Sequence, residues 1–300
     1  MKKFVVADLH GNGKIYDSVM NYINNYKNIM DEDVTLYILG DLIDRGRDSA
    51  RMLVDVYDKV KYGDNINIEY LAGNHEFLMY DASLDMRNGY FDPWCDWFIG
   101  SNGGWYTNMG LKKIVTNLER QDIINFVSNL KIYHKCNEMI NNKNIVLVHG
   151  KCPDTVLDNC EFVIRDNNKL VFETLFSRDY YFHRYIKERG NPDYFSIIGH
   201  TIVDTPTGYF YNSEENTLNI DGGAGAYAFG YTRFDHTPLV EIRNDELIIL
   251  TFNNNNEIIY GNSFNGDKFS PLNDELMSLH RSLLDKYDKA KVLCKNNSNN

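Results

Sequence analysis

Five times along this chain an apolar run of strand length stops at a metal-ligating side chain with glycine beside it. Phe4-Val-Val-Ala7 leads into Asp8-Leu9-His10-Gly11, and Val34 to Leu39 leads into Gly40-Asp41. Ile66 to Ala72 precedes Gly73-Asn74-His75-Glu76, Ile145 to Val148 precedes His149-Gly150, and Phe195 to Ile198 precedes Gly199-His200. Short β-branched runs bounded by turn residues read as buried strands. The carboxyl ends of such strands are where ligands sit in open α/β sheets. Asp8, His10, Asp41, Asn74, His149 and His200 therefore stand at the ends of five predicted strands. Their oxygen and nitrogen donors suit Mn²⁺, Fe or Zn²⁺ rather than Ca²⁺.

Helical periodicity fills the gaps between these runs. Ile15, Val19, Tyr22, Ile23 and Tyr26 recur at helical spacing over Lys14 to Lys27, as do Ala50, Leu53, Val54 and Tyr57 over Asp48 to Tyr62. With the flanking strands these make two consecutive βαβ units. From Phe77 to Gly110 the pattern becomes a helical excursion with Trp94, Trp97 and Trp105, which reads as aromatic core beside the cleft. Gln121 to Leu130 is a further helix. Four segments, Tyr209 to Tyr211, Thr217 to Ile220, Leu239 to Ile242 and Leu247 to Phe252, read as a strand meander. A final helix over 275–293 is expected to dock on the body, and Lys295 to Asn300 reads as a disordered tail. No linker splits the chain, so residues 1–294 are expected to form one domain.

The chemistry follows from the donor types. Asp8 and His10 on one turn can grip one cation, Asp41 can bridge two, and Asn74, His149 and His200 complete the second. A hydroxide shared between two such cations is a nucleophile at neutral pH. His75, next to Asn74, would point the other way and serve as general acid for the leaving oxygen. Asp44 could hold the far nitrogen of His75, while Arg45 and Arg178 could grip phosphate.

These residues resemble the phosphoprotein phosphatase family of metallophosphoesterases, in its bacterial and phage branch. The resemblance rests on Ala7-Asp8-Leu-His10-Gly11, Gly40-Asp41-Leu-Ile-Asp44-Arg45-Gly46 and Gly73-Asn74-His75-Glu76, followed by Val148-His149-Gly150, Gly199-His200-Thr201 and Asn219-Ile-Asp221-Gly-Gly-Ala224. It implies an α/β fold, a calcineurin-like β-sandwich of two mixed sheets flanked by helices. It also implies a two-metal phosphomonoesterase, Mn²⁺ foremost, acting on phosphoserine and phosphothreonine of proteins. The last loop would close the cleft. Three positions depart from the family pattern: Ala7 replaces glycine, Lys151 follows the metal histidine, and Ala72 stands where many members carry arginine.

Composition bounds the rivals. A net charge of −11 argues against binding a nucleic-acid backbone over a broad face, and Gly199-His200-Thr201-Ile202 lacks the second histidine of the nuclease-type members. Symmetrical diadenosine tetraphosphate hydrolysis shares the early motifs and stays open, as does a non-catalytic phosphate-binding scaffold. A cysteine phosphatase is excluded because Cys160 and Arg165 are wrongly spaced. Gly223 to Ala228 resembles a dinucleotide fingerprint only in letters and is expected to be a loop. His134, His183, His236 and His280 read as surface or core histidines. Scattered cysteines and the absence of a membrane-length apolar stretch imply a cytoplasmic protein without disulfides or membrane contact. Phosphorylated protein or a small phosphoester is the expected partner; the oligomeric state is not set by the sequence.

Overall fold

A computed structural model of the chain describes residues 1–86, 92, 95–177, 191–228, 230–231 and 235–284. Its first half is the expected pair of βαβ units. β1 (Lys2–Val6), β2 (Val34–Ile38) and β3 (Asn67–Tyr70) are parallel neighbours, with Phe4 opposite Leu36 and Leu36 opposite Ile68. The crossovers are α1 (Gly13–Met30) and α2 (Ser49–Tyr62). α1 begins where the Asn12 side chain accepts from the Ile15 amide, and it buries Ile15, Val19, Tyr22, Ile23 and Tyr26. That is the stripe its periodicity predicts.

Where it is described, the excursion that follows is helical, as expected. α3 (Asn74–Leu84) starts at the third strand's end, and two 3₁₀ turns, Asp96–Phe98 and Gly100–Asn102, lead to α4 (Gly104–Ile114) and α5 (Asn117–Ser128). A capping box between Thr116 and Glu119 starts α5. β4 (Tyr133–Ile140), β5 (Lys143–Val148), α6 (Lys169–Phe176), β6 (Phe195–Ile198), β7 (Phe210–Asn212) and β8 (Thr217–Asn219) come next. The chain then forms α7 (Ala224–Ala228), β9 (Thr237–Arg243), β10 (Glu246–Phe252), β11 (Ile258–Phe264), β12 (Phe269–Pro271) and α8, described over 274–284.

Two mixed sheets result. One runs β12-β11-β10-β9-β1-β2-β3 and the other β4-β5-β6-β8-β7. Because side chains alternate along a strand, Val5, Tyr37 and Leu39 meet Ile145, Leu147, Phe195 and Ile197 of the second sheet, while Phe4, Val6, Leu36 and Ile38 pack on the other face with residues of α1 and α2. The calcineurin-like sandwich flanked by helices is therefore the observed architecture.

Three expectations need correction. The four strands between 209 and 252 are not one meander: β7 and β8 pair in the second sheet, whereas β9 and β10 pair in the first. β11 and β12 were not anticipated, because Ile-Ile-Tyr-Gly-Asn-Ser-Phe is buried only at its two ends and shows no clean alternation. Residues 224–228 form a short helix rather than a loop. The last helix does dock on the body: Leu283 is buried, and Nδ1 of buried His280 lies 2.7 Å from the Tyr22 hydroxyl of α1. The remainder of the predicted 275–293 helix and the 295–300 tail lie outside the described residues. Cys95, Cys136, Cys152 and Cys160 are free thiols. No helix among the described residues is long and apolar enough to cross a membrane.

Candidate metal and phosphate site

The five predicted ligand-bearing turns follow β1, β2, β3, β5 and β6, all carboxyl ends of parallel strands. Turning so sharply requires unusual backbone. Asp8, His10, Asp41, Asp44, Arg45 and His200 all adopt positive φ, from 43° to 71°. Asp and His are among the side chains that tolerate this region best, and Arg is not. Left-handed residues outside turns of plain connection cluster at functional sites.

Asp41 is the centre. Its Oδ2 lies 3.2 Å from His10 Nε2 and 3.8 Å from His75 Nε2, and its Oδ1 lies 3.5 Å from His149 Nε2. His149 Nε2 is in turn 3.1 Å from Asn74 Oδ1 and 3.0 Å from His200 Nδ1. Backbone carbonyls fix the tautomers. His10 Nδ1 donates to the Ile43 carbonyl at 2.9 Å, His149 Nδ1 to Leu39 at 2.8 Å, and His200 Nε2 to Phe176 at 3.3 Å. Each ring therefore turns a lone pair, not a proton, toward Asp41 or its neighbours. Lone pairs of imidazole, amide and carboxylate facing one another repel unless a cation lies among them. Two groups of atoms close enough to share an ion are His10, Asp41 and His75, and Asp41, His149 and His200. This donor set fits two divalent cations.

Asp8 is buried beside these groups, with its two oxygens 3.0 and 2.9 Å from the His200 amide. The first and the last of the predicted ligand turns are thus tied directly together. Glu76, whose role the sequence did not disclose, ties the middle two. Its carboxylate accepts from the amides of Asp41 (2.8 Å), Leu42 (3.1 Å) and Gly73 (2.9 Å) and from the Tyr70 hydroxyl (2.6 Å).

Through its other nitrogen His75 also pairs with Asp44, with Nδ1 and Oδ2 2.8 Å apart. Trp97 Nε1 donates to the same oxygen at 2.7 Å, and the Thr107 hydroxyl donates to Oδ1 at 2.5 Å. Three donors converge on Asp44, so it is the acceptor and His75 keeps a proton on Nδ1. The other nitrogen, Nε2, lies 3.1 Å from an Arg45 guanidinium nitrogen. The 3₁₀ segment thus reaches into the site through Trp97, which reads as plain aromatic core in the sequence. The start of α7 packs against the same region: a Cβ at Gly225 would overlap the His10 ring.

Burial dominates the electrostatics. It raises the Asp8 pKa well above the carboxylate range, with Asp221 and Asp41 adding to the effect. Burial and Arg45 hold His10 near 3, so it is a neutral donor. Burial also raises Asp44 and, with Asp41, pushes Glu76 up to about 7. For His75 burial pulls the pKa down, but Asp41 and Asp44 outweigh it and the net shift is upward.

Arg178 lies outside the described residues. Lys151 lines a cavity of about 260 Å³ with Pro153, Asp154, Leu157 and Glu173. The cavity bordered by Asn74 and His200 is a different one, of about 330 Å³, with Leu78, Asp96, Ile99, Asn102 and Phe176.

Comparison with known proteins places this geometry in context. The family model of calcineurin-like phosphoesterases matches residues 1–230. Among solved structures, the cold-active protein-tyrosine phosphatase of a psychrophile, Shewanella sp., is 16% identical, over 85% of this chain and 78% of its own, with a TM-score of 0.49. A further structure of a cold-active protein tyrosine phosphatase is 15% identical, over 85% and 77%, with a TM-score of 0.50. A metallophosphoesterase from Sphaerobacter thermophilus is 13% identical, over 82% and 84%, at 0.36. At such identities only the match with a TM-score of 0.50 speaks, and to fold alone. No curated protein matches the chain.

Proposed function

The chain belongs to the calcineurin-like phosphoesterase family, and from that premise we propose that it is a two-metal phosphomonoesterase acting on phosphoserine and phosphothreonine of proteins. Asp8, His10, Asp41, Asn74, His149 and His200 are the proposed ligands, and manganese the proposed metal. Bound divalent cations supply a water of lowered pKa and neutralise charge on phosphoryl oxygens. The remaining steps are assigned to side chains of the chain itself. Asp44 holds His75 by Nδ1, which fixes the ring and leaves Nε2 to carry a proton to the leaving oxygen. Arg45, beside Nε2, presents a guanidinium fork for two phosphoryl oxygens, and in gripping them releases its contact with His75. Arg178 is proposed as a second phosphate contact. The start of α7, through Gly225, limits water on the His10 side.

The observation that carries the reading is the His75–Asp44 pair with its Trp97 and Thr107 donors. A scaffold that only bound phosphate would gain nothing from a histidine locked so firmly beside the donor cluster. A dinucleotide polyphosphate would use the same residues, so the substrate must be tested directly. Metal-stripped protein with and without Mn²⁺ is offered phosphothreonine peptide, phosphotyrosine peptide and diadenosine tetraphosphate side by side, with His75→Asn as control. The expected result is Mn²⁺-dependent phosphate release from the phosphothreonine peptide. Preferential ADP release from the dinucleotide would replace the substrate while keeping the residue assignments. No release from any of them would return the chain to a binding scaffold.

A further inference from the structure

On the helical side of the Arg45 turn the protein carries a further concave surface, and its charge is opposite to that of the molecule. It is a groove of about 480 Å³ between the start of α2 and the length of α4, bordered by Arg47, Arg51, Trp105, Tyr106, Met109 and Lys113. The two helices meet closely at its base, where a Cβ on Gly110 would overlap that of Ala50. The floor beside that contact is apolar, with Ala50, Met109 and Ile114 in the lining. Trp105 is 53% exposed, a poor use of an indole unless something covers it.

The lining is cationic in a chain of net charge −11: three basic residues and no carboxylate. Arg51 is engaged, 3.0 Å from Asp17 and 3.3 Å from Asp48. Exposed Arg47 and Lys113 have no ion-pair or hydrogen-bond partner among the described residues. Cations beside an exposed aromatic over an apolar floor match a partner that carries acid and hydrocarbon together.

The groove also adjoins the proposed site. Arg47 is two residues past Arg45, a span of at most about 7 Å. Gly103, whose carbonyl accepts from the Arg45 amide at 3.4 Å, is two residues before Trp105. A polypeptide with its phosphorylated residue at Arg45 would lay its flank here. We propose that this groove docks an acidic, leucine-like segment flanking the phosphorylated residue of a protein substrate, an assignment that rests on the phosphoprotein reading above.

The test uses full-length, Mn²⁺-loaded protein and two unphosphorylated labelled peptides, one alternating Glu with Leu and the other Lys with Leu. Anisotropy should show the acidic peptide binding about ten-fold more tightly than the basic one, and the preference should weaken with added salt. Arg47→Glu/Lys113→Glu should abolish it, and Trp105→Ala should weaken the acidic peptide alone. Equal affinity in the wild type, or a preference retained by the double variant, overturns the proposal. Phosphothreonine peptides with the same two flanks then separate the two readings. Hydrolysis without a KM preference for the acidic flank would overturn the groove and leave the phosphatase standing. Acidic-peptide binding without hydrolysis of either phosphopeptide would overturn the substrate assignment and the phosphoprotein reading together.

Discussion

The two donor clusters that share Asp41 are built in different ways. His10, Asp41 and His75 hang from β1, β2 and β3, adjacent strands of one sheet joined by regular crossovers. His149 and His200 hang from β5 and β6 of the other sheet, and reach Asp41 only because the sheets pack face to face. One cluster is a product of local chain geometry; the other exists only once the sandwich has closed. Asp41 is the hinge of that distinction, since its two oxygens face opposite clusters.

The sharpest way to break the comparison is therefore Asp41→Asn. It should strip metal from both clusters and lower kcat/KM by about 10³-fold or more. Two retained ions by elemental analysis would undo the shared assignment. His75→Asn comes next, with an expected loss of about 10²–10⁴-fold in kcat at unchanged metal content. His75 is near enough to Asp41 and His10 to be a ligand itself, so a drop of one ion per chain would make it a donor and not the acid. Trp97→Phe should cost about ten-fold in kcat, because it removes one of the donors that orient Asp44. Metal content should again hold, and an unchanged rate would reduce the indole to packing.

The smallest effect concerns the contact between sheets. His134 of β4 lies against Tyr37 of β2, with ring centroids 4.7 Å apart and Nε2 3.3 Å from the hydroxyl. Burial, together with Lys3 and Lys131, pulls its pKa down to about 4. A lowered histidine pKa means that the unfolded chain binds the proton first. Its contribution is thus complete above about pH 6.5 and lost as pH falls toward 4. The melting temperature of metal-free protein should decline over that window by about 2 °C more than in His134→Gln. Parallel declines in the two proteins would show that His134 stays solvated in the fold.

Legibility in the sequence follows the same divide. The parallel half could be read because each of its strands carries a buried apolar run and its candidate ligands follow that run at once. The pairing of His75 with Asp44 was also readable, from two short turns. Trp97 was not, since an aromatic residue in a helical excursion looks the same whether or not its N–H meets a buried acid. Glu76 sits where a helix-capping acid belongs, and nothing local says that it also reaches the amides of Asp41 and Leu42. β11 escaped detection because it is half-exposed and interrupted by Gly261 and Asn262. Strand order failed for a similar reason: β8 and β9 both alternate acceptably, and only tertiary packing assigns them to different sheets.

The left-handed backbone at Asp8, His10, Asp41, Asp44, Arg45 and His200 has a consequence for anyone who would improve this protein. Each such residue costs about 1 kcal/mol that glycine would not incur. A library sorted only for yield or heat resistance would drift toward glycine at these positions, Arg45 first. The sandwich would survive, and score better, while its chemistry vanished unnoticed. In this molecule robustness and turnover have to be selected together, because the turns that oppose one are those that carry the other.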